Sequence, residues 1–167
     1  RTEKPKSRDL PAPIERGTVR GKSGDQEVER RIADDEPPSA FVFKTVADPY
    51  AGRVSYFKVY SGVIKNDASL YNPRTGVTER LSHIGCLMGK TLTPVTELHA
   101  GDIGAVAKLK ETLTGDTLTD KANPIQYPPV KLPEPSIAYA IEAKSRQDED
   151  RMGAAIQRIL EEDPSLR

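Results

Sequence analysis

Apolar and polar positions alternate with period two from residue 39 onward, and the elements this predicts are strands. Phe41, Phe43 and Thr45 oppose Val42, Lys44 and Val46 until the turn cluster Asp48-Pro49-Tyr50-Ala51-Gly52. A longer strand over 53–63 sets Val54, Tyr56, Lys58 and Tyr60 against Ser55, Phe57 and Val59. A short strand at 69–71 lies between Asn66-Asp67 and the turn Asn72-Pro73-Arg74-Thr75-Gly76, and a further strand of mixed polarity covers 78–88. Residues 89–93 read as a loop and 94–98 as a short irregular segment. The stretch 100–118 then offers Ile103, Ala105, Ala107 and Leu109 alternating with Gly104, Val106 and Lys108, between the turns Gly101-Asp102 and Gly115-Asp116. Apolar on nearly both faces, it is expected to be the closing strand of a small β-barrel.

The flanks follow other patterns. Residues 1–36 hold scattered apolar side chains, several prolines and the run Glu27-Val28-Glu29-Arg30-Arg31, and are expected to form a linker from something upstream, with the barrel over 37–123. A Pro-rich connector follows over 124–135. Residues 136–141 alternate as a strand, and 145–163 read as a helix with Ser145 and Asp148 as a capping box, Met152, Ile156, Ile159 and Leu160 as one stripe, and Pro164 as the stop. One strand and one helix cannot close a core, so 136–167 are expected to be part of a larger α/β unit. The acids Glu161-Glu162-Asp163 sit against the unfavourable end of the helix dipole.

Composition narrows the function classes. Fourteen prolines, 12 glycines and 36% hydrophobic residues disfavour a helical bundle, and the single cysteine, Cys86, excludes an internal disulfide. No stretch reads as a signal peptide or membrane span, so a reducing cytoplasm is expected, and the chain is expected to be a monomer. Net charge is zero, with 10 basic against 8 acidic residues over 37–130. A nucleic acid would therefore be met through a local patch rather than a global field.

Candidate chemistry is sparse. Gly85-Cys86-Leu87-Met88-Gly89-Lys90-Thr91 has three residues where a phosphate-binding loop needs four, and runs into Leu92-Thr93-Pro94 rather than a helix. His83 and Cys86 form one metal-type pair with no second to complete it, and Cys86 has no base and orienting group beside it. Asp102 and Asp116 each follow a glycine, which favours turn chemistry over an acid/base pair. Arg53, Lys58, Lys65, Arg74, Arg80 and Lys90 fall near turns and strand ends, where they could meet an RNA backbone or simply be solvated. No catalytic or metal-ligating residue is expected.

Phe41-Val42-Phe43-Lys44, Asp48-Pro49-Tyr50-Ala51-Gly52-Arg53, Val59-Tyr60-Ser61-Gly62, Ala100-Gly101-Asp102-Ile103, Leu109-Lys110-Glu111-Thr112, Thr114-Gly115-Asp116-Thr117-Leu118 and Pro133-Glu134-Pro135 together resemble the second domain of translation elongation factor G. Glu161-Glu162-Asp163-Pro164-Ser165 resembles the end of the first helix of its third domain. The resemblance implies a mainly β chain: a translation-factor-type closed β-barrel, then the first strand and helix of a ferredoxin-like α/β domain. It further implies a ribosome-dependent GTPase as the parent, using GTP and Mg to drive movement of tRNA and mRNA. This portion would itself be inactive and without cofactor. Its partners would be small-subunit ribosomal RNA and proteins, and its own GTPase domain. On this reading Gly101, Asp102, Gly115, Asp116 and Thr117 are framework for an interdomain surface. The segments 72–80 and 84–90 are closer to an elongation-factor-G-like bacterial paralogue. The rival readings are a regulatory protein-binding barrel that does not work on the ribosome, and a ribosomal protection or release factor of the same architecture.

Overall fold

The computed structural model describes residues 17–48, 52–89, 91–132 and 134–166. Twelve strands and one helix occur among them: β1 (Thr18–Ser23), β2 (Gln26–Arg31), β3 (Ser39–Asp48), β4 (Gly52–Ser61), β5 (Ile64–Lys65), β6 (Ala68–Asn72), β7 (Val77–Leu81), β8 (Gly85–Met88), β9 (Thr91–Pro94), β10 (Glu97–Leu98), β11 (Ile103–Ala107), β12 (Thr117–Thr119) and α1 (Arg146–Glu162). Eight strands form one antiparallel sheet in the order β7-β6-β12-β3-β4-β11-β8-β9. The sheet curls around an interior of Ala40, Val42, Phe57, Val59, Ile64, Leu70, Leu81, Ile84, Leu98, Val106, Leu109 and Leu118. No ladder between the end strands β7 and β9 is present among the described residues. The short β5–β10 ladder, continued by the bond from Asn66 N–H to Thr96 O (2.8 Å), joins the chain before β6 to the chain after β9.

The mainly β, barrel-type expectation holds, with differences that have physical causes. In β3 the register slips between Val42 and Lys44, so Phe43 bulges outward. Inward positions therefore switch from Ala40 and Val42 to Thr45, while β4 keeps one phase with Ser55, Phe57, Val59 and Ser61 all buried. The strand expected over 78–88 is two strands, because His83 takes a left-handed φ of 59° between them. The loop expected over 89–93 instead contains β9, which returns against β8 in register from Gly85↔Pro94 to Met88↔Thr91. The stretch 100–118 does not close the sheet. Its strand β11 lies inside it, between β4 and β8, and ends where Lys108 adopts φ 64°.

The charged run at 27–31, within the expected linker, forms β2, half of a hairpin with β1 around Gly24. Val19 and Val28 of this hairpin pack with Phe41, Tyr60, Ile125 and Tyr127 as a second core on the outer sheet face. Phe41 stacks on Tyr60 and Tyr60 meets Tyr127 edge-on at 4.8 Å. The start of the connector is therefore docked. Lys22 and Gln126 exchange two backbone bonds of 2.8 and 2.7 Å, and Pro128-Pro129, lacking N–H groups, stop that pairing. Residues 136–141 form no strand, and Ile137, Tyr139 and Ile141 stay exposed, because no described strand lies alongside to pair with them.

Candidate functional site

The expected framework residues lie in two turns that have the same construction. Gly101 and Gly115, at φ 100° and 94°, begin backbone pairs with adjacent core strands. Gly101 N–H donates to Val59 O (2.8 Å) and Asp102 O accepts from Val59 N–H (2.9 Å). Gly115 N–H donates to Val42 O (2.7 Å) and Asp116 O accepts from Val42 N–H (2.9 Å). Each aspartate carboxylate then accepts the N–H three residues back, from His99 for Asp102 and from Leu113 for Asp116, both at 2.8 Å. These carboxylates form two separate turns, one leading into β11 and the other into β12, as turn chemistry predicts. Thr117 is buried and accepts Tyr127 N–H at 2.9 Å, tying the connector to β12.

Between β11 and β12, residues 108–116 cross one end of the barrel, with Leu109 plugged into the core. Four side chains clamp this loop. Glu79, inward on β7, accepts from the N–H groups of Lys110, Glu111 and Thr112 and from the Thr112 hydroxyl, each at 2.8 Å. Burial pushes the Glu79 carboxyl upward, but those four donors outweigh it and hold the group below the usual carboxylate value. Asp116 is buried, contacts Arg74 Nη2 at 2.8 Å and accepts from Asn72 Nδ2 at 2.9 Å; its hydrogen bond raises the Arg74 guanidinium. Arg74 also donates to Glu111 O, and Arg53 Nη2 donates to the carbonyls of Leu109 and Lys110.

Five of the six basic candidates lie among the described residues, and they make different contacts. Arg53 and Arg74 are engaged with the loop, and Arg80 pairs with Asp67 at 3.0 Å. Lys58 is half-buried on the outer face of β4, opposite Phe41 and Ile103, and Lys65 is exposed on β5. Neither lysine has an ion pair among the described residues. Lys90 lies outside the described residues. Sequence reasoning missed Glu79, although its place between Val77 and Leu81 in an alternating strand marks an inward carboxylate. It also missed Arg30, buried with Nη2 donating to Asn123 O at 2.8 Å, and the buried hydroxyl chain of Ser39, Ser61 and Tyr127. The acids at the end of α1, without a local explanation in sequence, meet the barrel: Glu161 lies 3.8 Å from Arg53, and Glu162 accepts the Ala47 N–H.

No reactive centre emerges from these contacts. Among the described residues no cluster of three metal-type ligands exists, and burial pushes the Cys86 thiol up, away from the nucleophilic thiolate. The segment whose spacing approaches that of a phosphate loop is a β-hairpin with Gly89 at φ 65°. A groove of about 530 Å³ runs between β1 and 126–129 and is lined by Arg20, Lys22, Glu27, Tyr127 and prolines. No helix among the described residues is long and apolar enough to cross a membrane.

A curled antiparallel sheet with a docked hairpin and paired Gly-Asp turns is the architecture of a translation-factor-type barrel. The family comparison makes this particular: residues 37–121 match elongation factor G domain 2 and residues 132–167 match elongation factor G domain III, so the chain belongs to the elongation factor G family. A solved crystal structure from Thermus thermophilus is similar at 39% identity with a TM-score of 0.72, the match covering 80% of this chain. The chain spans about 20% of the length of that protein.

Proposed function

We propose that this chain is the ribosome-contacting and interdomain portion of an elongation-factor-G-type GTPase that moves tRNA and mRNA. The observation that carries this reading is the order of the two family matches, domain 2 then domain III, along one chain. The barrel supplies a rigid body, and the connector beyond Gln126 lets the following unit take up its orientation. GTP and Mg act in the GTPase domain of the parent; the portion described carries no group to hold or hydrolyse nucleotide and works by position. Residues 136–166 present Ile137, Tyr139, Ile141, Ile156 and Ile159 along a shared apolar groove of about 500 Å³, which the remaining elements of a ferredoxin-like domain would cover. Its setting is the cytoplasm and its partners are small-subunit ribosomal RNA, ribosomal proteins and the parent's GTPase domain. The parent is either the housekeeping translocase or a paralogue, and the divergent segments 72–80 and 84–90 favour the paralogue.

Ribosome pelleting at graded salt tests this. Cosedimentation that weakens as salt rises is the expected result, since phosphate contacts release counterions. Absence of cosedimentation at low salt would instead support a regulatory barrel that acts away from the ribosome. Micromolar nucleotide binding by the chain alone would overturn the assignment of GTP chemistry to another domain.

A further inference from the structure

The last turn of α1 opposes its own helix dipole. It carries Glu161 and Glu162, ends on Asp163 and has no basic residue, although a helix C-terminus favours cations. Two of these acids point to one place on the barrel. Glu161 Oε2 is 3.8 Å from Arg53 Nη1, and Glu162 Oε1 accepts the N–H of Ala47. Ala47 and Arg53 face each other across the β3–β4 ladder, so both contacts fall on a single rung at its end. The rung is preorganised. The Arg53 side chain is only 19% exposed, and its Nη2 is fixed by the carbonyls of Leu109 and Lys110, which leaves Nη1 aimed outward at an anion.

We propose that this rung is a docking surface for the acidic end of α1, forming an electrostatic latch that joins the domain 2 barrel to the first helix of domain III. Carboxylates that weaken the isolated helix are retained because they hold it to the barrel. Arg53 is thereby withdrawn from the cations open to RNA. Contact between α1 and β3 supports the same placement.

The test uses the whole chain in a Cys86→Ala background, with nitroxide labels at Ser69→Cys on β6 and Gln157→Cys on α1, both exposed positions. Pulsed electron–electron distances are expected to be narrowly distributed at low salt. They should broaden at 1 M NaCl, where the screening length is about 3 Å, and in Glu161→Lys/Glu162→Lys and the milder Glu161→Gln/Glu162→Gln. Asp150→Lys, early in the same helix, should leave them narrow. Far-UV circular dichroism separates docking from folding: the substitutions relieve the dipole conflict, so helix content should hold or rise while docking is lost. A distribution that is already broad in the parent chain at low salt overturns the latch. So does one unchanged by both pairs of substitutions, or one broadened equally by Asp150→Lys.

Discussion

Glu79→Ala removes one acceptor from four donors at once, and the structure says which of them suffer. Lys110 and Glu111 are exposed, so water can replace the carboxylate at their N–H groups. Thr112 is fully buried, and its N–H and hydroxyl both lose their partner; Asn72 Nδ2 donates to that hydroxyl at 3.3 Å and cannot substitute as an acceptor. At about 1–3 kcal/mol for each buried unpaired group, the loss is about 2–6 kcal/mol. Against a domain stability on the order of 5–15 kcal/mol, that is a large fraction. Urea unfolding followed by circular dichroism should show a lower midpoint with an unchanged slope, the signature of lost stability without altered compactness.

Glu79→Gln sharpens the test. Its Oε1 can keep the three bonds from Glu111 and Thr112 but its amide then meets the Lys110 N–H, donor to donor, at an exposed position, so the loss should fall to about 1–2 kcal/mol at neutral pH. The two proteins must also differ in their pH dependence. The Glu79 carboxyl is held below its ordinary 4.5, so between the folded and unfolded values the unfolded chain binds more protons. Its stabilisation is fully present above 4.5 and is lost as pH falls through the lower folded value. The gap between parent and Glu79→Gln should therefore close on acidification. Parallel stability curves for the two from pH 6 to pH 2 would refute the assignment of this carboxylate as the loop's charged anchor.

Three further outcomes follow from single contacts. In Gly21→Ala the new Cβ would sit 2.6 Å from Ile125 Cγ1 and 2.7 Å from the Gln126 carbonyl, so a loss of about 1–3 kcal/mol is expected. Amide exchange at Lys22 and Gln126 should quicken first, and an unaffected exchange rate would mean the hairpin is not seated on the connector. Tyr127→Phe deletes a hydroxyl bonded to Ser39 at 2.6 Å and should cost about 1 kcal/mol. Because burial raises this phenol above 10.0, the alkaline ultraviolet titration should also lose a tyrosine that titrates above the usual phenol range. A double-mutant cycle between Arg74→Ala and Asp116→Asn should give a coupling of about 1–3 kcal/mol in urea, whereas additive effects would place the guanidinium in solvent.

The readable parts of the fold were those set by short-range chemistry. Strands β3, β4 and β6, the Gly-Asp turns and the helix from its Ser145 cap to Asp163 all follow from period and punctuation. Three kinds of information were absent from such patterns. The bulge at Phe43 changes which residues point inward without changing composition, so alternation alone misassigns Thr45. The β1–β2 hairpin is mostly polar because a small apolar set, Val19 and Val28, suffices once Ile125 and Tyr127 arrive from far along the chain. Strand character at 136–141 needs neighbours to become a ladder, however well its residues alternate. The elongation factor G likeness was legible because it rests on the order of several motifs, and the two family matches repeat that order.

Arginine and lysine divide the labour in this barrel, and the division bears on how RNA would be met. The forked guanidinium groups of Arg53, Arg74 and Arg30 reach backbone carbonyls that loops leave unpaired, a geometry an ammonium cannot reproduce with several directed bonds. Lys58 and Lys65 remain outward as point charges suited to phosphate, and replacing a clamping arginine would deform the loop instead of removing a contact. The consequence is quantitative. If those two lysines were the contacts made by the described residues, the logarithm of ribosome affinity would fall against the logarithm of salt with a slope of about −1 to −2, at roughly 0.7–0.9 per phosphate. Lys58→Ala/Lys65→Ala should flatten it nearly to zero in the pelleting assay. A slope that stays steep in that variant would assign the contact to other cations.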